Sequence, residues 1–370
     1  MFEAVRRMIR GRKAPLLTYV IPNYRYEHLI GDCLASLLAQ TRPDWRAIVV
    51  HQGPEEAIAP VLARHADPRI THLAFPGPVT TFKARRAGFE AVTTPYIAHI
   101  DADDMVGPRH AEHLLGAALR TGADIVIGNV ETQHPDGNVV AGRKHTDWPA
   151  PLEGKGVEAA LFMRDHSRSI IWDAVYRTDA LRDTYAEIPQ DFAVGYAEDT
   201  VLRLMLWSRG VSFVRVPEIV YRYRRHADSV TQRGGLDAAL RRWKEARTAY
   251  GFLHDTFRAD DRRMSEMPWL LEKVARSYRN SVAAHVWKLS GLAGLPEEEF
   301  QALFREVELD FMGEARSYRI EQGVRETLKK TRDRNAALQA KIARLEAEVA
   351  RLGGEAAAAP DTARTESRPA

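Results

Sequence analysis

The densest group of reactive side chains is the acidic sequence D-A-D-D at 101–104, which directly follows the apolar sequence Y-I-A-H-I at 96–100. A short apolar run of this kind predicts a buried strand, and the carboxyl ends of such strands are where α/β sheets usually bind ligands. Three acids within four residues repel one another unless a cation compensates them. Hard oxygen ligands favour Mg²⁺ or Mn²⁺, above all beside a phosphate. The segment therefore predicts a cation site, although one Asp alone would serve equally well as a helix N-cap.

Two segments before these acids carry groups that suit a nucleotide. The first predicted strand ends in V-I-P-N-Y at 20–24, where the ring of Tyr24 is placed to stack on a nucleobase, although Pro and Asn also favour a simple strand-to-helix turn. The sequence K-A-R-R-A-G at 83–88 offers cations that suit a diphosphate, or else forms a solvated helix face. Both segments leave a ligand-binding and a purely structural interpretation open.

Two segments after the acids carry further polar groups. Glu198 and Asp199 stand at the start of a helical pattern, where a carboxylate acts either as an N-terminal cap or as a general base in a cleft. The sequence Y-R-R-H at 223–226 ends a predicted strand. A lone His after arginines is usually a surface residue.

The elements that must position these groups alternate between strands and helices. Apolar runs predict strands at 16–21, 47–50, 70–73, 96–100 and 124–130, and helical periods occur at 26–40, around 58–62, at 80–92 and at 109–121. This order predicts an α/β fold, a mostly parallel sheet with helices on both faces. Farther along, Asp136-Gly137 predicts a hairpin turn, residues 198–208 a helix, and residues 169–176, 211–216 and 219–223 strands.

Composition excludes several classes of protein. A net charge of +3, with 28% charged residues, gives no basic field that would favour a nucleic acid partner. Cys33 is the only cysteine, so neither a disulfide framework nor a thiolate metal site is expected, and a reducing cytoplasm is predicted. No apolar run reaches transmembrane length and no signal peptide is evident.

The chain of 370 residues predicts several units. Residues 1–13 are a basic segment that predicts either a helix lying on a membrane surface or a frayed terminus. An α/β domain over 14–232 precedes a mainly helical region at 233–320. Heptads at 321–352 predict a parallel coiled coil and thereby a homodimer, or else one helix folded back on the domain. The tail at 353–370 is predicted to be disordered.

The order of the motifs resembles glycosyltransferase family 2. The motifs are P-x-Y at Pro22–Tyr24, K-A-R-x-x-G at Lys83–Gly88, D-A-D-D at Asp101–Asp104, E-D-T at Glu198–Thr200 and Y-R-x-H-x-x-S at Tyr223–Ser229. Each motif is weak alone, but five in one order make a specific signal over roughly residues 14–232. The resemblance implies a Rossmann-like GT-A fold, a nucleotide-sugar donor that is most often UDP-linked, and a divalent cation, Mn²⁺ or Mg²⁺.

The resemblance also assigns roles to single residues. It places Asp101 on the ribose side of the donor. It assigns the metal to Asp103 and Asp101, with Asp104 supporting them. His226 would complete the shell of the metal or of the diphosphate. Lys83 and Arg85 would approach the diphosphate, and Pro22 and Tyr24 the base. Asp199 would deprotonate the acceptor hydroxyl, and one such base predicts inversion at the anomeric carbon.

The chain departs from the family pattern after the second strand. The family usually has Asp-Asp-Gly-Ser there, whereas this chain has His51-Gln52-Gly53-Pro54. Neutral His or Gln can still hydrogen-bond a base edge, so His51 is a candidate for reading the base, with relaxed or shifted selectivity. Arg25 and Arg86 stand where the family often has Asn.

The predicted function is sugar transfer from a nucleotide-sugar to a hydroxyl of a glycan or lipid-linked acceptor, in the cytoplasm or peripherally at the inner face of the membrane, for a cell-envelope polysaccharide. A second interpretation is an impaired GT-A-fold scaffold that oligomerises through the coiled coil. A third, a nucleotidyltransferase, would usually need a glycine-rich phosphate loop near the first strand, and residues 22–28 contain no glycine.

Overall fold

The computed structural model of the chain describes residues 14–141, 153–154, 156, 171–229, 236–278, 281, 341 and 344. The strands among them are β1 (Leu17–Asn23), β2 (Trp45–Gln52), β3 (Ile70–Phe75), β4 (Tyr96–His99), β5 (Met105–Val106), β6 (Ile125–Gln133), β7 (Val139–Ala141), β8 (Glu153–Gly154), β9 (Ala174–Arg177) and β10 (Phe213–Arg224). The helices are α1 (Ile30–Leu38), α2 (Glu55–Arg64), α3 (Thr81–Glu90), α4 (His110–Thr121), α5 (Thr178–Ala186), α6 (Glu198–Trp207), α7 (Leu236–Arg258) and α8 (Asp261–Glu266).

The described strands form one mixed sheet in the order β3-β2-β1-β4-β9-β6-β10-β5, with β7 beside β6 and β8 beside β10. The pairs β1–β2, β2–β3, β1–β4 and β6–β10 are parallel. The prediction of a mostly parallel sheet holds for β1 to β4 and for the pair β6–β10, and it is wrong at β9, which runs antiparallel to both β4 and β6. Strand β9 therefore brings a chain segment from far along the sequence next to the strand that ends in the acids.

The predicted helix and strand positions agree with the structure to within a few residues through β6. The turn at Asp136-Gly137 joins the antiparallel strands β6 and β7, with Gly137 at φ 84°. The two strands predicted at 211–216 and 219–223 are one strand, β10, whose register shifts between Arg215 and Tyr221. Pro217 lies in that stretch, and because proline cannot donate a ladder hydrogen bond, it splits the sequence pattern without ending the strand.

Both faces of the first half of the sheet are covered by helices, as predicted. Leu17, Tyr19 and Ile21 of β1 share one buried apolar cluster with α1 and α4. On the opposite face α3 approaches so closely that a Cβ added at Gly88 would lie 2.4 Å from Val20 Cγ1 and 2.9 Å from Val50 Cγ2. Glycine at 88 thus sets the distance between α3 and the sheet.

Gly88→Ala is expected to lower the free energy of unfolding by about 1–2 kcal/mol, because overpacking two β-branched side chains costs up to about 3 kcal/mol and the gain of about 1 kcal/mol in helix propensity offsets only part of that cost. Urea unfolding measures this change. Gly77→Ala is the matched control, since a Cβ there meets nothing within 4 Å, and it should change the stability by less than about 0.5 kcal/mol. Equal stabilities for the two variants would contradict the close packing of α3.

The region predicted to be helical after residue 233 contains α7, α8 and a helical stretch at 269–278. The chain divides into the units Met1–Phe304 and Arg305–Ala370, and every feature discussed below belongs to the first. The basic segment 1–13, the tail 353–370 and, apart from residues 341 and 344, the coiled coil at 321–352 lie outside the described residues, so the homodimer stays a prediction. Among the described helices, none is long and apolar enough to cross a membrane.

Candidate active site

A cavity of about 430 Å³ opens at the carboxyl ends of β1, β2, β4 and β6, where the sequence places its acids. Its described lining residues are Pro22, Tyr24, Tyr26, Gln52, Val79, Thr81, Arg85, Asp101, Ala102, Asp103, Val130, Thr132, Trp172, Gly195, Tyr196, Ala197, Glu198, Asp199, Tyr223 and Ser229. Of the eleven residues proposed from sequence for the site or the base-reading position, seven line this cavity: Pro22, Tyr24, Gln52, Arg85, Asp101, Asp103 and Asp199. Residues separated by more than 170 positions in the sequence therefore meet in one cleft.

Arg85 is the cation that faces these acids. It lies on α3 and is buried, and its Nη2 donates to Asp101 Oδ1 over 2.6 Å. Its Nε lies 3.5 Å from Glu198 Oε1, so that one guanidinium joins the acid segment to α6. Nε and Nη1 of Arg85 have no hydrogen-bond partner within the described parts of the chain. Unused guanidinium donors beside a cavity suit the oxygens of a diphosphate.

Asp104 fixes the acid segment to β10 and does not line the cavity. Its Oδ2 accepts from the Tyr221 hydroxyl at 2.7 Å, and its Oδ1 accepts from the backbone N–H of Arg224 at 2.7 Å. The Tyr221 hydroxyl in turn accepts from the backbone N–H of Asp101 at 3.2 Å. Asp104 is therefore a buried carboxylate that holds the loop of Asp101 and Asp103 in place, which is a supporting role of the kind predicted for it.

Asp103 lines the cavity and contacts His226 behind it, with Asp103 Oδ2 2.9 Å from His226 Nε2. Burial raises the pKa of Asp103, and the Asp101 carboxylate adds to that rise. The described residues hold no group of three or more His, Cys, Asp and Glu side chains placed around one metal ion. A carboxylate and an imidazole beside an excess of buried negative charge nevertheless fit a hard cation whose other ligands are phosphate oxygens and water.

The first residues of α6 bring two more carboxylates to the cavity. Ala197, just before the helix, adopts the left-handed conformation at φ 63°, which is uncommon for a residue with a Cβ and is typical of functional sites. Asp199 Oδ1 accepts from the backbone N–H of Thr200 at 2.7 Å. The pKa of Glu198 is raised chiefly by burial and further by the charge of Asp199. Burial also raises the pKa of Asp199, to about 6. A carboxylate with such a pKa can accept a proton near neutral pH.

The opposite end of the cavity carries Pro22, Tyr24 and Gln52, at the ends of β1 and β2. Gln52 Oε1 accepts from the backbone N–H of Val79 at 2.8 Å, which fixes its amide at the rim. His51 is fully buried and outside the described lining. Its Nδ1 lies 3.0 Å from Asn23 Nδ2 and its Nε2 3.0 Å from the Pro54 carbonyl, which requires the proton on Nε2. Gln52 is therefore the neighbour placed to meet a base, and His51 supports the loop.

Three further predicted positions are placed by the structure. Lys83 is exposed on α3 and does not contribute to the described cavity wall. His226 reaches the cavity through Asp103. Arg25 adopts φ 64°, a left-handed conformation that Asn enters more readily than Arg, which gives a physical reason for Asn at this position in the family.

An aromatic wall was missed by the sequence interpretation. The Trp172 ring stacks on Tyr221, with centroids 4.5 Å apart, and on Tyr223, with centroids 5.7 Å apart and planes 9° apart. Trp172 and Tyr223 line the cavity. The available signal was a Trp within the strand predicted at 169–176 and two tyrosines at positions i and i+2, which places the two tyrosines on the same face of a strand.

Comparison with known proteins gives the family. The family described as Glycosyl transferase family 2 matches residues 18–182. An uncharacterized glycosyltransferase, EpsJ of Bacillus subtilis strain 168, is 27% identical over 250 residues, which are 64% of this chain and 70% of EpsJ. A putative glycosyltransferase of the same organism, EpsH, is 27% identical over 231 residues, which are 60% of this chain and 64% of EpsH.

A solved structure shares the fold. The structure of S. aureus TarS 1–349 in complex with UDP-GlcNAc superimposes with a TM-score of 0.50 at 12% identity, covering 80% of this chain and 88% of that one. At this identity the likeness concerns the fold alone, a mixed α/β architecture similar to GT-A glycosyltransferases. The family assignment rests on the match over 18–182 and on the two Bacillus relatives: residues 18–182 of this chain are a glycosyltransferase family 2 domain.

Proposed function

We propose that the protein transfers a sugar from a nucleotide-sugar, a UDP-sugar, to a hydroxyl group of a glycan or lipid-linked acceptor, with inversion at the anomeric carbon. The observation that carries this proposal is that Arg85, Asp103 and Asp199 line one cavity. A cationic group, a cation-binding carboxylate and a candidate base are what sugar transfer from a diphosphate requires. The family assignment of residues 18–182 and the binding of UDP-GlcNAc by the structural neighbour TarS support the donor class.

The proposed reaction is a displacement at the anomeric carbon. The acceptor oxygen bonds to that carbon while the bond from the carbon to the diphosphate oxygen breaks, and the electron pair leaves with UDP. Asp199 takes the proton of the acceptor hydroxyl. Negative charge develops on the diphosphate, and the guanidinium of Arg85, whose Nη1 has no hydrogen-bond partner among the described residues, stabilises it.

The proposed cation would be Mn²⁺ or Mg²⁺, held by Asp103 and His226. When bound, it would add charge stabilisation to the leaving diphosphate. Asp101 is already paired with Arg85 through Oδ1, so its proposed part is to orient that guanidinium and to meet the ribose side of the donor.

A thermal-shift panel tests the proposed function. UDP and UDP-sugars are expected to raise the melting temperature more with Mn²⁺ than without, since a ligand at 100 times its Kd stabilises the folded state by about 2.7 kcal/mol. The shifts of the melting temperature with GDP, CDP and dTDP measure the selectivity for the base. In Gln52→Ala, the shift with UDP should differ less from the shifts with these other nucleotides. If no nucleotide shifts the melting temperature with or without Mn²⁺, the donor site is refuted and the scaffold interpretation is favoured.

A further inference from the structure

The cavity has two chemically different ends, separated by the acid segment. Asp101 follows β4, which is central in the sheet order. On one side of β4, Tyr24 directly follows β1 and Gln52 ends β2, whereas on the other side Trp172 precedes β9 and Tyr223 lies on β10. A donor with its base at Tyr24 and its diphosphate at Arg85 leaves the end beside Trp172 to a second substrate.

That second end presents aromatic surface. Trp172 is half-buried, and its ring lies nearly parallel to Tyr223 while it stacks on Tyr221. The face of an aromatic ring carries partial negative charge and attracts the partly positive C–H bonds of a flat apolar surface. A pyranose ring has such a C–H face, whereas an open-chain polyol has none. Such a wall would favour a pyranose ring over an open-chain polyol.

The aromatic wall is tied to the helix that carries the proposed base. Asp173, next to Trp172, forms an ion pair with Arg203, and both side chains are fully buried. Arg203 lies on α6 four residues after Asp199, which is one helical turn along. Tyr221 is held independently through its hydrogen bond to Asp104. A ring resting on Trp172 would thus be kept at a fixed position relative to the Asp199 carboxylate.

We propose that Trp172, backed by Tyr221 and Tyr223, is the acceptor subsite, and that it binds a pyranose ring. This inference rests on the sugar transfer proposed above and narrows its acceptor to one that presents a pyranose ring, as opposed to an open-chain polyol. Trp172 determines acceptor affinity and specificity, while Tyr24 serves the donor. The two aromatic residues at the two ends therefore act on different substrates.

The test separates donor kinetics from acceptor kinetics in the full chain. UDP release is measured with Mn²⁺ and the UDP-sugar that stabilises the protein most, first with water as the only acceptor. Methyl glucoside, methyl galactoside, methyl mannoside and methyl N-acetylglucosaminide are then added, with glycerol and ribitol at the same concentrations. We expect at least one pyranoside, and neither polyol, to raise the rate of UDP release.

Variants then assign the effect to the aromatic wall. Trp172→Leu keeps apolar bulk against Tyr221 and should raise the KM of the active pyranoside at least about tenfold, a much larger effect than on the donor KM. Trp172→Phe should recover most of the loss. Tyr24→Leu is the reciprocal control and should raise the donor KM alone. Melting temperatures show whether each variant is folded.

Three results would overturn the acceptor subsite: a polyol as effective as the pyranosides, donor hydrolysis that no pyranoside accelerates, or a Trp172→Leu variant that raises the donor KM as much as the acceptor KM or leaves the acceptor KM unchanged. If the unaltered protein neither releases UDP nor is stabilised by it, the proposed function fails and this inference fails with it. The three results that would overturn the acceptor subsite do not contradict the donor site, so the two failures are distinguishable.

Discussion

Replacing Asp199 by Asn is expected to reduce sugar transfer by about 10²- to 10⁴-fold, because the amide keeps the shape of the side chain and cannot accept the acceptor's proton. The affinity for UDP should stay the same, since the diphosphate is assigned to Arg85 on α3 and the cation to Asp103. Rates of UDP release with and without acceptor, together with UDP titrations, measure both quantities.

Glu198→Gln is the matched control for this variant. Glu198 is adjacent in sequence but lies against Arg85 at 3.5 Å, so its replacement should cost less than about tenfold in transfer. The reverse result, a Glu198→Gln variant that is inactive and an Asp199→Asn variant within a few-fold of the parent, would assign the base to Glu198.

The pH dependence of the rate gives a second measure of the same carboxylate. A base must be ionised to act, and burial raises the pKa of Asp199 to about 6 from the ordinary value of 3.8. The rate should therefore rise with pH up to about 6 and level off above it, rather than level off two units lower. In Asp199→Asn this rise should vanish from the residual activity.

Replacing Asp103 by Asn is expected to abolish the part of UDP binding that depends on Mn²⁺. Asp103 and His226 form the proposed cation pair, and a neutral amide is a much poorer ligand for a hard cation than a carboxylate. The fold should persist, because burial and Asp101 already oppose a charge on Asp103. Titrations of UDP with Mn²⁺ and with EDTA give the binding, and thermal unfolding gives the stability.

Asp32→Asn is a control for the loss of a carboxylate in the same domain. Asp32 is exposed and pairs with Arg224 at the surface, so its replacement should leave the Mn²⁺-dependent binding intact. Unchanged Mn²⁺-dependent UDP binding in Asp103→Asn would refute the assignment of Asp103 as a cation ligand.

Much of the sheet was predictable because its strands are local apolar runs. The strands β1, β2, β3 and β4 each show buried or half-buried apolar residues in sequence, and the parallel order follows from the helices between them. Strand β9 was harder to predict from the sequence. Residues 174–177 are only four positions long, and nothing local in them specifies insertion between β4 and β6, which depends on pairing with residues about 50 to 80 positions away.

The site was predictable in its acids and not in its aromatic wall. Motif spacing identifies Asp101, Asp103 and Asp199 because their chemistry is rare and clustered. His51 shows the limit of that reasoning: its position after β2 is the one that would read a base, but its ring is turned into the protein, onto Asn23 and Pro54. Trp172 shows the converse, since the partners that give it a function, Tyr221 and Tyr223, lie about fifty residues later and meet it only in the folded sheet.

The contacts of Tyr221 also define how much polypeptide is needed for an intact acid loop. The family match ends at residue 182, yet the hydroxyl that holds Asp101 and Asp104 belongs to Tyr221. The backbone N–H of Arg224 donates the second hydrogen bond to Asp104. A fragment cut at the end of the match would carry every acid of the D-A-D-D segment without the strand that shapes it. On the ribosome, at about 5–20 residues per second, the acids are synthesised roughly 6 to 24 seconds before Arg224. The smallest piece worth expressing therefore extends at least to Ser229, where the last described lining residue of the cavity lies.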